Sequence, residues 1–339
     1  MATFVTGATG FIGGRLCQEL ASRRENVVAL CRSKPQGNDL DHPLIKIAIG
    51  DIAGSGAQKG GLFDAMNGCE RCVHLAGLAT QWSRRSADFY TVNTEGTRNV
   101  LDAAAAHAIE KFVFVSTAGV YGPSHSGNTI VENTSIPDQL GTHYERSKRM
   151  AEEMVVEDVQ RIGLNACIVC PTRVFGPGKM TEANSITRIM AQYESGQWWL
   201  MPGDGSAVGN YVHVDDVVTG LIKALEKGQS GQRYILGGEN LSFRDLFGLF
   251  AKHSTNPREL TQVPFWAAKL YAYFQMAVAA TLGARPKLTP SFVNKYFSSY
   301  RFNCEETKRK LGFRPRKVAV AVEETMDWLR EQERAKTAS

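Results

Sequence analysis

The residues best suited to chemistry are Tyr144 and Lys148, a phenol and an ammonium four positions apart in Tyr144-Glu145-Arg146-Ser147-Lys148. The stretch from Tyr144 to Arg161 has helical periodicity, and on a helix positions i and i+4 share one face, one turn apart. A tyrosine ordinarily titrates near 10, and a cation beside it lowers that value. The pair is therefore expected to donate a proton to a carbonyl, or to take one from an alcohol, near neutral pH. Ser116 and Thr117 close the apolar run Phe112 to Val115 and offer hydroxyls to the same chemistry.

These groups need a scaffold, and the first half of the chain spells one out. Short β-branched or apolar runs recur at Phe4-Val5, Val27 to Leu30, Ile45 to Ile49, Cys72 to Leu75, Phe112 to Val115 and Cys167 to Cys170. Helical segments such as Thr91 to His107 lie between them. Buried strands alternating with helices predict an α/β fold, a doubly wound parallel sheet covered on both faces. After Pro171 glycine and proline punctuate the chain, and the remainder reads as a smaller, mainly helical lobe. The expected division is a nucleotide-binding domain over 1–170 with a return segment at 206–236. The lobe takes 171–205 and 237–331, and 332–339 is a frayed polar end.

Between the first strand and the first helix lies Val5-Thr6-Gly7-Ala8-Thr9-Gly10-Phe11-Ile12-Gly13. Gly7 permits a tight turn, Gly10 a close approach of backbone to a pyrophosphate, and Gly13 close helix packing; the helix N-terminus adds N–H donors. In that context the glycines predict a dinucleotide site. Where an NAD site usually sets an acid for the ribose 2′-hydroxyl, this chain has Arg32, followed by Ser33 and Lys34. A guanidinium matches a 2′-phosphate in charge and geometry, so NADP(H) is the expected cofactor, with NAD(H) the alternative. Asp51, after the third strand, is placed for the adenine amino group.

With 339 residues and a net charge of +5, basic residues are spread without a run long enough for nucleic acid. The first residues enter a strand with no basic leader, and seven cysteines fit a reducing compartment, so a cytoplasmic location is expected. Cys69/Cys72 and Cys167/Cys170 resemble a zinc signature. However, Cys167 and Cys170 lie three apart in a strand and face opposite ways, so no metal is expected.

The chain resembles the extended short-chain dehydrogenase/reductases over almost its full length. The resemblance rests on Thr6 to Gly13, Asp51-Ile52, His74 to Gly77, Val92 to Thr97, Val115 to Gly122, Tyr144 to Lys148 and Pro171 to Gly178. It implies that Thr117 hydrogen-bonds the substrate oxygen, Tyr144 shuttles the proton and Lys148 holds the nicotinamide ribose. It implies a cofactor held by Gly7, Gly10, Phe11, Ile12, Gly13, Arg32, Asp51 and Ile52. Leu75, Ala76, Gly77, Asn93, Tyr144, Lys148, Pro171 and Val174 complete that set. A homodimer through the helices flanking Tyr144 is also implied.

Within that family, sugar-nucleotide enzymes commonly carry Arg-Asp-Phe before a late Tyr-Val-Asp-Asp segment, and the arginine clamps a diphosphate. Here Gly209 and Asn210 precede Tyr211, so the charged clamp is missing. With Arg32, this points to the branch of 3β-hydroxysteroid dehydrogenases and dihydroflavonol reductases, acting on an apolar small molecule. A nucleotide-sugar epimerase or dehydratase is the rival, and a non-catalytic NADP-sensing protein a more distant one. The apolar stretch 264–283 reads as a lobe helix lining the substrate pocket, with peripheral contact to a membrane surface as the alternative. His213 reads as a packing histidine, and Asp215-Asp216 as the N-cap of the next helix.

Overall fold

The structure, a computed structural model, describes every residue except 36, 38, 39, 55, 56, 125, 126, 338 and 339. In chain order the first strands are β1 (Ala2–Thr6), β2 (Asn26–Cys31), β3 (Ile45–Ile49), β4 (Arg71–His74), β5 (Lys111–Val115) and β6 (Ala166–Pro171). Then follow β7 (Arg173–Phe175), β8 (Leu200–Pro202), β9 (Val208–His213), β10 (Arg233–Leu236), β11 (Glu239–Ser242) and β12 (Thr261–Val263). The first helices are α1 (Phe11–Ser22), α2 (Ala57–Met66), α3 (Ala87–Tyr90), α4 (Gly96–Ala106), α5 (His143–Ile162) and α6 (Ser185–Glu194). The lobe and its returns add α7 (Val214–Lys227), α8 (Phe243–His253), α9 (Phe265–Leu282), α10 (Pro290–Phe297), α11 (Glu305–Leu311) and α12 (Val318–Thr337).

Among the described residues, seven strands form one parallel sheet in the order β10-β6-β5-β4-β1-β2-β3. Alternation along each strand feeds two cores. Val5, Val73, Val113 and Val169 pack under α1 and α7, whereas Phe4, Cys72, Phe112 and Ile168 face α4 and α5. Cys167 belongs to the first core and Cys170 to the second, so their sulfurs lie on opposite faces as expected. The chain order reverses between β1 and β4, where Thr6 stands beside His74. Outside the strand ends at such a reversal, doubly wound sheets open a ligand crevice.

Three boundaries differ from expectation. The return segment begins at α7, because β9 pairs with β7 and β11 in a separate small sheet. Leu311 and Phe313, assigned to the lobe, pack in the core under α1 and α7. The stretch 332–339 does not fray at once: α12 continues to Thr337, and 338–339 lie outside the described residues. In the lobe, α6, α8 and α12 bury Met190, Phe250 and Met326 against β9's Tyr211.

Candidate active site

The crevice is a cavity of about 560 Å³ running from the β2 end, at Arg32, past α1 to the lobe at α10. Its first wall is the glycine turn. Gly7 adopts a left-handed φ of 69°, and a Cβ at Gly13 would fall inside the Gly7 carbonyl oxygen. The turn therefore closes directly onto α1. Gly10 caps that helix with no side-chain hydrogen bond and no acid in the first turn. Gly10 N–H closes the turn onto the Gly7 carbonyl at 2.9 Å, and the first turn of α1 at Phe11 and Ile12 lines the cavity, where a helix N-terminus fits a pyrophosphate.

Beneath the turn, one hydrogen-bond chain ties the strand ends together. Ala76 N–H donates to Thr6 Oγ1 at 3.0 Å, and the Thr6 hydroxyl donates to His74 Nδ1 at 2.7 Å. His74 Nε2 then donates to Thr97 Oγ1 at 3.0 Å, because the Thr97 hydroxyl is committed to the Asn93 carbonyl at 2.6 Å. Burial, with Lys148 nearby, holds the His74 pKa well below the usual histidine range, so the ring stays neutral and the chain keeps one direction.

The reacting groups come from β5 and α5. Thr142 caps α5 by accepting from the Glu145 N–H at 3.1 Å, which starts the helix just before Tyr144. Tyr144 and Lys148 project together into the cavity, with Lys148 Nζ 4.1 Å from the centre of the Phe114 ring. Thr117 lines the same wall, where its hydroxyl accepts from Gly119 N–H at 3.1 Å and acts to lower the Tyr144 pKa. The expected lowering of the tyrosine does not occur. Desolvation pushes Tyr144 up to about 12, outweighing the Thr117 hydroxyl that pulls it down. The same burial draws Lys148 down to about 8, opposed by the buried Glu152 carboxylate. At neutral pH Tyr144 thus carries its proton and is a donor in wait.

Of the residues expected to hold cofactor or catalyse, Thr117, Tyr144, Lys148, Gly7, Gly10, Phe11, Ile12, Gly13, Arg32, Asp51, Ile52, Leu75, Ala76, Gly77, Pro171 and Val174 all line this one cavity. Asn93 does not. It is wholly buried behind the wall, where its Oδ1 accepts from Leu78 N–H at 2.6 Å and its Nδ2 donates to Ser147 at 2.9 Å. Asn93 therefore positions the β4 loop against α5.

Other expectations fail for visible reasons. His213, not Asp215-Asp216, caps α7: its Nδ1 accepts from Asp215 N–H at 3.3 Å. Burial, reinforced by Arg316, lowers His213 to about 4, so it is the expected packing histidine. Asp215 pairs with Arg15, and Asp216 with Arg316 at 3.1 Å. Helix α9 lines no part of the cavity. It buries Ala268 and Ala272 against Val293 of α10 and leaves Trp266, Leu270, Tyr273 and Phe274 60–69% exposed.

Sequence reading also missed the lobe wall. Ser185, Ile186, Phe292, Lys295 and Tyr296 line it, with Arg173 of β7. Lys295 Nζ donates to Glu145 Oε1 at 2.8 Å, tying α10 to the residue beside Tyr144. No local pattern announces α10 as a wall, since its placement depends on long-range packing.

Relatives resemble this chain over most of its length. Residues 3–237 match the NAD dependent epimerase/dehydratase family, and the chain belongs to that family as an extended short-chain dehydrogenase/reductase. It is an enzyme that uses a nicotinamide cofactor and acts on CH–OH groups. It is 27% identical to sterol demethylase protein B of Methylococcus capsulatus, over 98% of this chain and 99% of that protein. It is 30% identical to a dTDP-glucose 4,6-dehydratase of Streptomyces griseus, over 72% and 76% of the two chains. The crystal structure of gox2253 superposes with a TM-score of 0.82 at 28% identity, over 98% of each chain. When bound, the nicotinamide supplies hydride transfer; the protein supplies the proton, the orientation and the cavity.

Proposed function

We propose that this chain is an NADP(H)-dependent oxidoreductase interconverting a ketone and a secondary alcohol on a largely apolar substrate. The observation that carries this reading is the placing of Tyr144, Thr117 and Lys148 on one cavity wall shared with Leu78, Ile186 and Phe292, with burial favouring the protonated Tyr144 phenol. Thr117 and Tyr144 hold the substrate oxygen, and Tyr144 gives it a proton in the reductive direction. Lys148 holds the nicotinamide ribose, with Pro171 and Val174 alongside and Gly77 at the β4 end. Arg32, exposed at the cavity's far end, takes the 2′-phosphate, and Asp51 the adenine. Ile186 and Phe292 give the substrate end of the cavity its apolar wall, and no residue of 264–283 lines it.

The test follows NADPH absorbance with a panel of lipophilic ketones and nucleotide sugars. Consumption of NADPH with a lipophilic ketone is the expected result. Turnover of nucleotide sugars alone, with NAD retained through purification, would overturn it.

The same reading includes contact with a membrane surface through α9. Support comes from its exposed aromatic side chains and from a stretch, 264–288, with three cations and no acid. Among the described residues no helix is long and apolar enough to cross a membrane. A homodimer through α4 and α5, with Met150 and Ile162 exposed on α5, completes the reading, in a reducing, cytoplasmic setting that suits seven buried free thiols.

A further inference from the structure

Arg173 is a cation in the lobe wall whose charge no carboxylate among the described residues answers. It follows Pro171 and Thr172 into β7, is half-buried and lines the cavity. Its guanidinium carbon lies 5.3 Å from the Phe243 ring centre, 5.6 Å from Tyr211 and 5.9 Å from Tyr300. Nη1 donates to the Tyr211 hydroxyl at 3.2 Å. Among the described residues no carboxylate lies within 4 Å of it. The other charges of the lobe end are matched: Lys295 by Glu145, and Glu182 by Arg285.

Five donors on a planar fork, with one of them used, constitute a recognition surface for a carboxylate. Three aromatic rings hold the guanidinium in place, so less freedom is lost when an anion arrives. The rings also shield the fork from competing water on their side.

We propose that Arg173 is the specificity-determining residue of a substrate anion subsite, and that the physiological substrate carries a carboxylate on its otherwise apolar body. The assignment rests on the reading of the cavity between Tyr144 and α10 as the substrate site. Lys295, the other cation of this wall, is committed to Glu145, and Ile186 and Phe292 are apolar, so a single carboxylate on an apolar body matches the wall better than a polar diphosphate sugar.

The test measures binding and turnover separately. With NADP⁺-loaded protein, dissociation constants are measured by calorimetry for medium-chain 3-hydroxy acids, their methyl esters and UDP-glucose. Alcohol-dependent reduction of NADP⁺ is followed in parallel. The acid should bind at least tenfold more tightly than its ester. That ratio should fall close to one in Arg173→Met and recover in part in Arg173→Lys. Three results would each overturn the assignment: no acid preference in the wild type, a preference that survives Arg173→Met, or tighter Arg173-dependent binding of UDP-glucose. Equal loss of acid and ester affinity in Arg173→Met, with a lowered Tm, would assign Arg173 to packing and overturn it too. Arg173-dependent binding of acids without NADP⁺ reduction would uphold the subsite while defeating the oxidoreductase reading for that substrate.

Discussion

The guanidinium of Arg173 occupies the space that a side chain at Gly209 would need: a Cβ there would stand 2.7 Å from Arg173 Nη1. Arg173 on β7 pairs with Tyr211 on β9, so residue 209 lies on the same side of the neighbouring strand. The arginine that the sequence lacks at 209 has a counterpart in space, supplied by another strand.

Gly209→Arg should therefore not rebuild a diphosphate clamp. Two guanidinium groups would compete for one aromatic niche, and overpacking of this kind typically costs about 1–3 kcal/mol. A lowered Tm without UDP-sugar binding is the expected outcome. A stable variant that binds UDP-sugars would show that the niche can expand.

Tyr144→Phe removes the proton donor while keeping the ring. Loss of general acid catalysis should lower kcat by roughly 10²–10⁴-fold. NADPH affinity, measured by fluorescence titration, should change little. Turnover within a factor of a few of the wild type would remove Tyr144 from the chemistry.

Lys148 sets a pH dependence. Its folded-state pKa is lowered to about 8 by burial, so the unfolded chain binds more protons between there and the ordinary lysine value. Stability from this group therefore rises with pH across that window, and the buried charge is a cost at neutral pH. Lys148→Met should flatten that rise in a series of urea melts. The same variant should remove an alkaline decline in ketone reduction with a midpoint near 8. A decline unchanged in the variant would place its origin elsewhere.

Gly13 and Gly14 form a discriminating pair. A methyl group at Gly13 collides with the Gly7 carbonyl oxygen, whereas at Gly14 its nearest neighbour is Ala8 O at 3.4 Å. Gly13→Ala should lower both Tm and NADPH affinity. Gly14→Ala should be tolerated, and in a helix it can gain up to about 1 kcal/mol. Equal effects at both sites would mean that helix propensity, not turn packing, governs the loop.

Arg32→Asp should move cofactor choice from NADP toward NAD. A charge-assisted hydrogen bond is worth about 1.5–3 kcal/mol, or roughly 10- to 150-fold in the ratio of the two affinities. An unchanged ratio in binding titrations would detach Arg32 from the 2′-phosphate. On α9, Trp266→Ala and Phe274→Ala together should weaken sedimentation with anionic vesicles. If the wild type shows no vesicle binding, α9 has another role.

Much of this protein is local chemistry, and that part was readable from residues alone. Strands announce themselves as short apolar, β-branched runs and helices through a period of 3.6 residues, the glycine turn through its position between them, and Tyr144 with Lys148 through one helical turn. Those features depend on neighbours in the chain. Tertiary structure decided what depends on neighbours in space. Burial, not the nearby ammonium, governs the Tyr144 proton; Asn93 stands behind the wall rather than on it. Much of the apolar run of α9 faces outward because Ala268, Ala272 and Phe265 meet α10, while Trp266, Leu270, Tyr273 and Phe274 do not pack there. Above all, the meaning of Gly209 changed once β7 was seen beside β9. A missing side chain can be read from a sequence, but what fills its space is set by packing between distant segments.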